Sequence, residues 1–144
     1  MRASMRLRQV ANVANLSTPL GLLVAVVGRA AVSAGPDGLL LARGYRLPVP
    51  AAPAFTVGNV VLLRIDDAAL ARRPLLLAHE ARHATQYAWC VGPVMLPLYG
   101  LAAAWSWLRC GNPASYNVFE RRAGLADGGY QPRGRRAWND RRHV

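Results

Sequence analysis

The five-residue string HEARH at positions 79–83 constrains this chain more than any other feature of its sequence. Residues four apart lie on the same face of an α-helix, so the string would place two imidazoles side by side, within reach of one metal ion. The chain has only three histidines and two glutamates in 144 residues, so a chance occurrence of this string is rare. We therefore predict that His79 and His83 bind zinc and that Glu80 is the general base for an attacking water. The alternative is a solvated helix whose histidines pair with neighbouring side chains.

The residues around this string favour a helix. Pro74 suits a first helical position, and the leucines, alanines and arginines that follow have high helix propensity, so we predict a metal helix over residues 74–89. Nearer the start of the chain, Thr18 and Pro19 form an N-cap and first-turn pair, which predicts an N-terminal helix over residues 18–34. The alternative for this segment is a secretory signal, because three arginines precede its apolar run.

Residues 38–65 have a different pattern from the helical segments. Short runs of Leu, Val, Tyr and Phe alternate with Gly and Pro, and this pattern predicts two or three β-strands with the prolines at edges and connections. A short sheet followed by the metal helix places the chain in the α+β class.

Residues 84–108 carry no formal charge and are long enough for a membrane span. A single span would put His83 and any later metal ligand on opposite sides of the bilayer, so a span and a shared metal site exclude one another. We predict instead that this run, with residues 90–110 as its apolar connector, is broken into a kinked or re-entrant pair of short helices that returns the chain to its starting side. Peripheral membrane contact through residues 89–108 remains an alternative to burial, because the segment contains aromatic residues suited to either. The residues expected to break the segment are Gly92, Pro93, Pro97 and Gly100.

A third metal ligand is predicted after the connector. Asn112, followed by a proline, suits the start of a ligand helix over residues 113–127. Glu120 is the only glutamate besides Glu80, and it follows the histidines at a distance typical of sites with two histidines and one glutamate. Asn117 lies one turn earlier and is predicted to support the site. The alternative for Glu120 is an ion pair with a neighbouring arginine.

Two motifs together resemble a known family. HEARHATQY at 79–87 and NVFERRA at 117–123 resemble the gluzincins, the zincin metallopeptidases whose third zinc ligand is a glutamate. The chain is more closely similar to small bacterial metallopeptidase-like proteins that carry an HExxHxxQY helix, a Gly-Pro apolar connector and an Asn-x-Phe-Glu element. The resemblance covers about residues 55–123. It implies one Zn²⁺ ion and hydrolysis of a peptide or protein substrate.

The resemblance also assigns structural roles. It implies a zincin-like domain in which a short antiparallel sheet precedes the metal helix, with His79, His83 and Glu120 as the zinc ligands and Glu80 as the base. An edge strand within Phe55–Leu63 would line the substrate cleft, the alternative being a plain core sheet.

The chain departs from the thermolysin-like pattern at one position. There an aspartate four residues after the ligand glutamate orients a histidine, whereas this chain has Gly124. Asp127 is the predicted substitute, and Tyr87 is predicted to support the site. The sequence leaves the oxyanion stabiliser open among four side chains: Tyr87, Tyr116, Tyr130 and Arg82.

Length and charge suggest the overall organisation. We predict one domain over residues 1–127 and a flexible basic tail over residues 128–144. The formal net charge is +11, and all the cationic side chains are arginines. The tail arginines, with Tyr130 and Trp138, suit weak contact with nucleic acid or anionic lipid, and a solvated tail is the alternative.

Three classes of function therefore stay open. The first is a zinc metallopeptidase, favoured by Glu80. The second is a weakly active or inactive zinc-stabilised binding module, favoured by the small size and the missing aspartate. The third is a basic protein that binds nucleic acid or a membrane surface, favoured by the net charge. The expected location is the cytoplasm, with membrane association as the alternative.

Overall fold

The computed structural model describes residues 3–135, and within this range the chain forms helices packed around one four-stranded sheet. The α+β class predicted from the sequence is confirmed. The helices are α1 (Ala3–Ala14), α2 (Ser17–Val27), α3 (Asp67–Ala71), α4 (Leu76–Trp89), α5 (Met95–Cys110) and α6 (Val118–Ala123). The strands are β1 (Ala31–Ala34), β2 (Leu40–Arg43), β3 (Ala54–Val57) and β4 (Val60–Leu63).

The sheet is mixed and has the strand order β1-β2-β4-β3. Strands β1 and β2 pair antiparallel, and so do β3 and β4, but β2 and β4 pair parallel. The prediction of a wholly antiparallel sheet is therefore wrong. The parallel pair arises because the chain leaves β2 through a long connection, forms β3 at the edge and then turns back at Gly58 to place β4 in the interior. The edge strand before the metal helix is therefore β3 alone, not the whole of residues 55–63.

Strand β4 organises the core. Its four side chains have no exposed surface. Because side chains alternate along a strand, Val60 and Leu62 pack on one face with Ala25 of α2. Val61 and Leu63 pack on the other face with Leu76 and Ala84 of α4. The metal helix is thus fixed against the sheet by its own buried face.

The predicted N-terminal helix 18–34 is correct only up to Val27. The chain turns at Gly28 and at Arg29, whose φ is 56°, and residues 31–34 form β1 beside β2. Gly28 lies so close to the ring of Tyr45 that an added Cβ would be 2.2 Å from it, so the helix ends where the chain contacts this ring. Helix α1, which was not predicted from the sequence, precedes α2.

The metal helix α4 forms as predicted, two residues shorter at its start. The connector breaks at one place only, where Val91 and Gly92 have φ values of 57° and 76° and a 3₁₀ turn begins. Beyond it, α5 runs unbroken through Pro97 and Gly100, so the breaks expected at these two residues are wrong. The bend at Val91 and Gly92 sets α4 at 112° to the 3₁₀ turn and α5, so the predicted kinked pair is formed by these longer helices. Pro97 is tolerated because it lies in the first turn, where a backbone N–H has no partner within the helix.

The predicted ligand helix 113–127 is shorter than expected. Asn112 caps a turn by accepting hydrogen bonds from the N–H groups of residues 114 and 115. Helix α6 begins only after Asn117 and ends at Gly124, whose φ is 91°. The chain beyond 127 is not a free tail from its first residue, because Tyr130 packs near His79. The part of the predicted tail contact that falls on residues 136–144, which include Trp138, lies outside the described residues.

Candidate metal centre

Three buried side chains from two helices converge on one point. Helix α4 contributes His79 and His83, and α6 contributes Glu120. The two Nε2 atoms are 3.1 Å apart, and Glu120 Oε2 lies 3.2 Å and 3.5 Å from the Nε2 atoms of His79 and His83. Nitrogen and oxygen ligands about 2.0–2.1 Å from a tetrahedral metal ion are separated by roughly 3.3 Å. The three predicted ligands are therefore spaced to bind a metal ion.

The second ring nitrogen of His79 fixes the orientation of the first. His79 Nδ1 donates to two main-chain carbonyl oxygens at the end of α6, those of Ala123 at 3.1 Å and Gly124 at 2.9 Å. Since a carbonyl oxygen only accepts, Nδ1 carries the hydrogen and the neutral ring presents the Nε2 lone pair to the site. Gly124 stands where the resemblance expects an aspartate, and its carbonyl supplies the missing acceptor.

Gln86 plays the same part for His83. Its Nε2 donates to the carbonyl oxygen of Phe119 at 2.9 Å, so its Oε1 faces His83 and accepts from Nδ1 at 2.8 Å. The lone pair of His83 Nε2 is therefore also directed into the site. Gln86 lies three residues after His83 on the same helix face, a spacing from which its role could have been predicted.

One carboxylate oxygen of Glu120 accepts a hydrogen bond, and the other faces the two histidines. The hydroxyl of Tyr99 on α5 donates a short hydrogen bond to Oε1. Oε2 is buried and has no hydrogen-bond donor of its own among the described residues, although both Nε2 atoms lie close to it. Burial would raise the pKa of Glu120, but the imidazoles of His79 and His83 outweigh it and hold the pKa well below its usual range. The carboxylate therefore stays ionised, as a metal ligand must.

The electrostatics of His79 also favour a cation. Burial alone would lower its pKa, but the interaction with Glu120 and the negative charges of Glu80 and Glu120 outweigh burial and raise it. The point that attracts a proton here would equally attract a metal ion, since the ligand atoms are Lewis bases with few competing donors.

Glu80 is held beside the three ligands by the edge strand. It is 3% exposed, and Thr56 of β3 donates its hydroxyl hydrogen to Oε2 at 2.7 Å. Burial raises the pKa of Glu80, which outweighs the opposite effects of His83 and of the Thr56 hydrogen bond. No local sequence pattern indicates Thr56, because its hydrogen bond to Glu80 joins residues far apart in the chain.

A cavity of about 430 Å³ opens beside the cluster. Glu80 and the three candidate metal ligands form one part of its wall, and β3 forms another. Most of the remaining lining is apolar or aromatic and comes from α2, the loop before β3, α4, α5 and the segment after α6: Leu20, Val24, Tyr45, Pro50, Tyr87, Met95, Leu96, Tyr99 and Tyr130. A small molecule or a short peptide segment therefore has room next to the cluster.

Two predicted supporting residues have other roles. Asp127 does not orient a histidine: its Oδ2 pairs with Arg82 Nη1 at 2.6 Å. The same Arg82 nitrogen donates to the Ala123 carbonyl, so it fixes the end of α6 to α4 and is not directed at the cavity as an oxyanion stabiliser. Asn117 is fully buried and caps α6 by accepting from the Phe119 N–H at 3.0 Å, so it positions Glu120 through the helix.

The three tyrosines considered for the oxyanion separate into two groups. Tyr87 and Tyr130 line the cavity, whereas Tyr116 stacks near the guanidinium of Arg109, 5.8 Å from its ring centre. The Tyr130 ring centre is 6.1 Å from that of His79. The main chain before Tyr130 can pass this close to His79 because residue 128 is a glycine: an added Cβ there would be 2.6 Å from the His79 ring.

Comparisons of the chain with family models, with curated proteins and with solved structures gave no match.

Proposed function

We propose that this protein is a zinc-dependent hydrolase of peptide bonds. The observation that carries the proposal is the near-tetrahedral spacing of His79 Nε2, His83 Nε2 and Glu120 Oε2, with a buried Glu80 beside them on the wall of a cavity. A solvated helix with paired histidines would need none of these features.

The donor set supports zinc. Two imidazole nitrogens and one carboxylate oxygen are a common zinc ligand set, and three protein ligands are typical of catalytic sites, whereas structural zinc sites have four. Within residues 3–135 the cluster has three such ligands. A zinc ion bound there would act as a Lewis acid on a carbonyl group and make water a better nucleophile.

Glu80 is assigned the proton transfers. Its raised pKa brings the carboxylate closer to the range in which it can accept a proton from water and return it to a leaving amine. Because Thr56 occupies Oε2, we assign the proton to Oε1. The Thr56 hydrogen bond keeps the side chain in one orientation while the proton moves.

The substrate we propose is an extended peptide with an apolar side chain at the cleavage site. Strand β3 lies at the sheet edge and its residues 54–57 all line the cavity, so a peptide could pair with it as an added strand. The apolar lining contributed by Leu20, Val24 and Met95 suits an aliphatic or aromatic side chain.

The test combines metal analysis with one substitution. Purified full-length protein is expected to bind one zinc per chain and to cleave peptides from a fluorogenic library biased to apolar residues. Glu80→Gln should keep the zinc and lose activity by about 100-fold or more, because it removes the base without removing a ligand.

The matched control is Asp67→Asn, which neutralises an exposed acid that pairs with Arg43 at the surface. It should change neither zinc content nor cleavage. If Glu80→Gln cleaves as fast as the wild type, the hydrolase proposal is wrong and a zinc-stabilised module becomes the better explanation. If neither protein binds zinc, the metal assignment fails as well.

A further inference from the structure

Two long segments of the chain carry no charged side chain, and each forms a bent pair of helices. Residues 9–28 lie between Arg8 and Arg29, and residues 84–108 lie between Arg82 and Arg109. In the part of the chain that the structure describes, no single helix is long and apolar enough to cross a membrane. Two helix pairs reach that length and hydropathy together, α1 with α2, bent by 73°, and α4 with the 3₁₀ turn and α5, bent by 112°.

Each bend contains an apolar residue in an unfavourable conformation. Leu16, between α1 and α2, has φ 68° and is 64% exposed, and Val91, between α4 and α5, has φ 57° and is 71% exposed. The left-handed region is rare for leucine and rarer for a β-branched valine, because the Cβ atom crowds the main chain there. Glycine or asparagine would adopt this region more readily, and a polar residue would avoid exposing apolar surface. Both positions instead hold an aliphatic side chain directed to the surface.

The two bends touch one another. Asn15, next to Leu16, lies so close to Gly92 that an added Cβ there would be 2.4 Å from the Asn15 carbonyl oxygen. The Asn15 side chain also donates to the carbonyl oxygen of Tyr87 at 3.3 Å. The bends therefore form one apolar ridge, which we call the elbow ridge. Its exposed large side chains are Val13, Leu16, Trp89, Val91 and Val94.

We propose that the elbow ridge inserts into the surface layer of an anionic lipid bilayer. Trp89, which is 84% exposed, is the residue type favoured at the boundary between lipid and water. The charged residues that bound both segments are all arginines: Arg8 within α1, Arg29 just after α2, Arg82 within α4 and Arg109 in the last turn of α5. Of these, Arg29 is exposed and Arg109 half-buried, and both lie at the ends of their helices away from the ridge. Arginines placed behind an inserted apolar ridge would meet the lipid phosphates.

Charge favours lipid over a second copy of the chain. The formal net charge is +11, so two copies joined through this ridge would bring like charges together. An anionic bilayer offers both an apolar layer for the ridge and negative charge for the arginines.

The ridge also belongs to the same helices as the cavity. The cavity is lined in part by Leu20 and Val24 of α2 and by Leu96 of α5. Leu96 is also 45% exposed. Insertion of the ridge would thus hold the cavity beside the membrane. This inference does not rest on the proposed hydrolase activity, and it is tested without substrate.

The experiment measures binding of the full-length protein to phosphatidylcholine vesicles with and without phosphatidylglycerol, by co-sedimentation and by quenching of tryptophan emission with bromine-labelled lipid. The variant is Leu16→Asn with Val91→Asn. Asparagine tolerates the left-handed conformation, so the variant should be at least as stable to heat as the wild type. We expect its partition constant for anionic vesicles to fall about tenfold or more, because two apolar side chains are lost from the ridge.

The control is Val32→Asn, which makes the same chemical change at an exposed position of β1, outside both uncharged segments. It should bind vesicles like the wild type. Equal binding by the wild type and the double variant would overturn the proposal, as would wild-type binding that gives no quenching by brominated lipid. Self-association that is lost in the double variant, with no vesicle binding by the wild type, would instead assign the ridge to a second copy.

Discussion

The hydroxyl of Thr56 on the edge strand β3 donates to Oε2 of Glu80 on α4 at 2.7 Å, while the same hydroxyl lies 3.4 Å from the Glu80 main-chain oxygen. The strand proposed to bind substrate and the residue proposed to act as base are therefore joined by one side chain. Any shift of β3 relative to α4 would move the base relative to the substrate.

Thr56→Val keeps the shape of the side chain but leaves the Glu80 carboxyl without its donor. Because that hydrogen bond lowers the pKa of Glu80, its loss should raise the pKa further. A base must be deprotonated to act, so the acidic limb of the kcat/KM profile should move to higher pH, with kcat reduced about tenfold. Thr85→Val is the control, since that hydroxyl bonds to the Ala81 carbonyl within α4. An unchanged acidic limb would show that Glu80 is not the titrating base.

Glu120→Gln tests the third ligand with little change of shape. Tyr99 can still bond to the amide oxygen, but the negative charge at Oε2 is lost. Zinc affinity should fall at least about 100-fold, and added chelator should no longer lower the melting temperature. Competition with a zinc indicator dye measures the affinity. Zinc binding at wild-type strength would exclude Glu120 as a ligand.

Gln86→Leu tests the residue that orients His83. The variant fills similar volume but removes the acceptor for His83 Nδ1 and the donor to Phe119. We expect zinc affinity to fall about 10- to 100-fold, as is usual when the partner of a ligating histidine is lost. Gln86→Glu keeps an acceptor for Nδ1 and should retain more of the affinity. Equal loss in both variants would indicate that the contact to Phe119, and with it the placement of α6, matters more.

The three candidate metal ligands could be singled out from the sequence because their signal is local or rests on scarcity. His79 and His83 are one helical turn apart, and Glu120 is the only other glutamate after Glu80. The buried face of α4 follows from the same helical periodicity. Strand β4, by contrast, is parallel to β2 only because the chain crosses over at the edge, and such a pairing has no local signature.

The surroundings of the ligands could not be predicted for a related physical reason. The acceptors for His79 are main-chain oxygens, which every residue has, so the search for an aspartate led to Asp127, which instead pairs with Arg82. The contact of Tyr99 with Glu120 depends on α5 continuing through Pro97, where the sequence suggested a break. Contacts between side chains that are distant in the sequence have no characteristic residue spacing from which they could be predicted.

Gly128→Ala tests whether the segment after α6 closes over the metal centre. An added Cβ would lie 2.6–3.0 Å from the His79 ring, so either the ring or the main chain must move. Moving the ring would disturb its bonds to the Ala123 and Gly124 oxygens, and we expect zinc affinity to fall at least tenfold, with about 1–3 kcal/mol lost from the free energy of unfolding. Gly134→Ala is the matched control, because nothing lies within 4 Å of a Cβ added there. Titration with zinc and thermal unfolding of both variants make the measurement. If Gly128→Ala binds zinc as tightly as Gly134→Ala, residues 128–130 do not restrain His79, and a boundary near residue 127 would describe the chain after all.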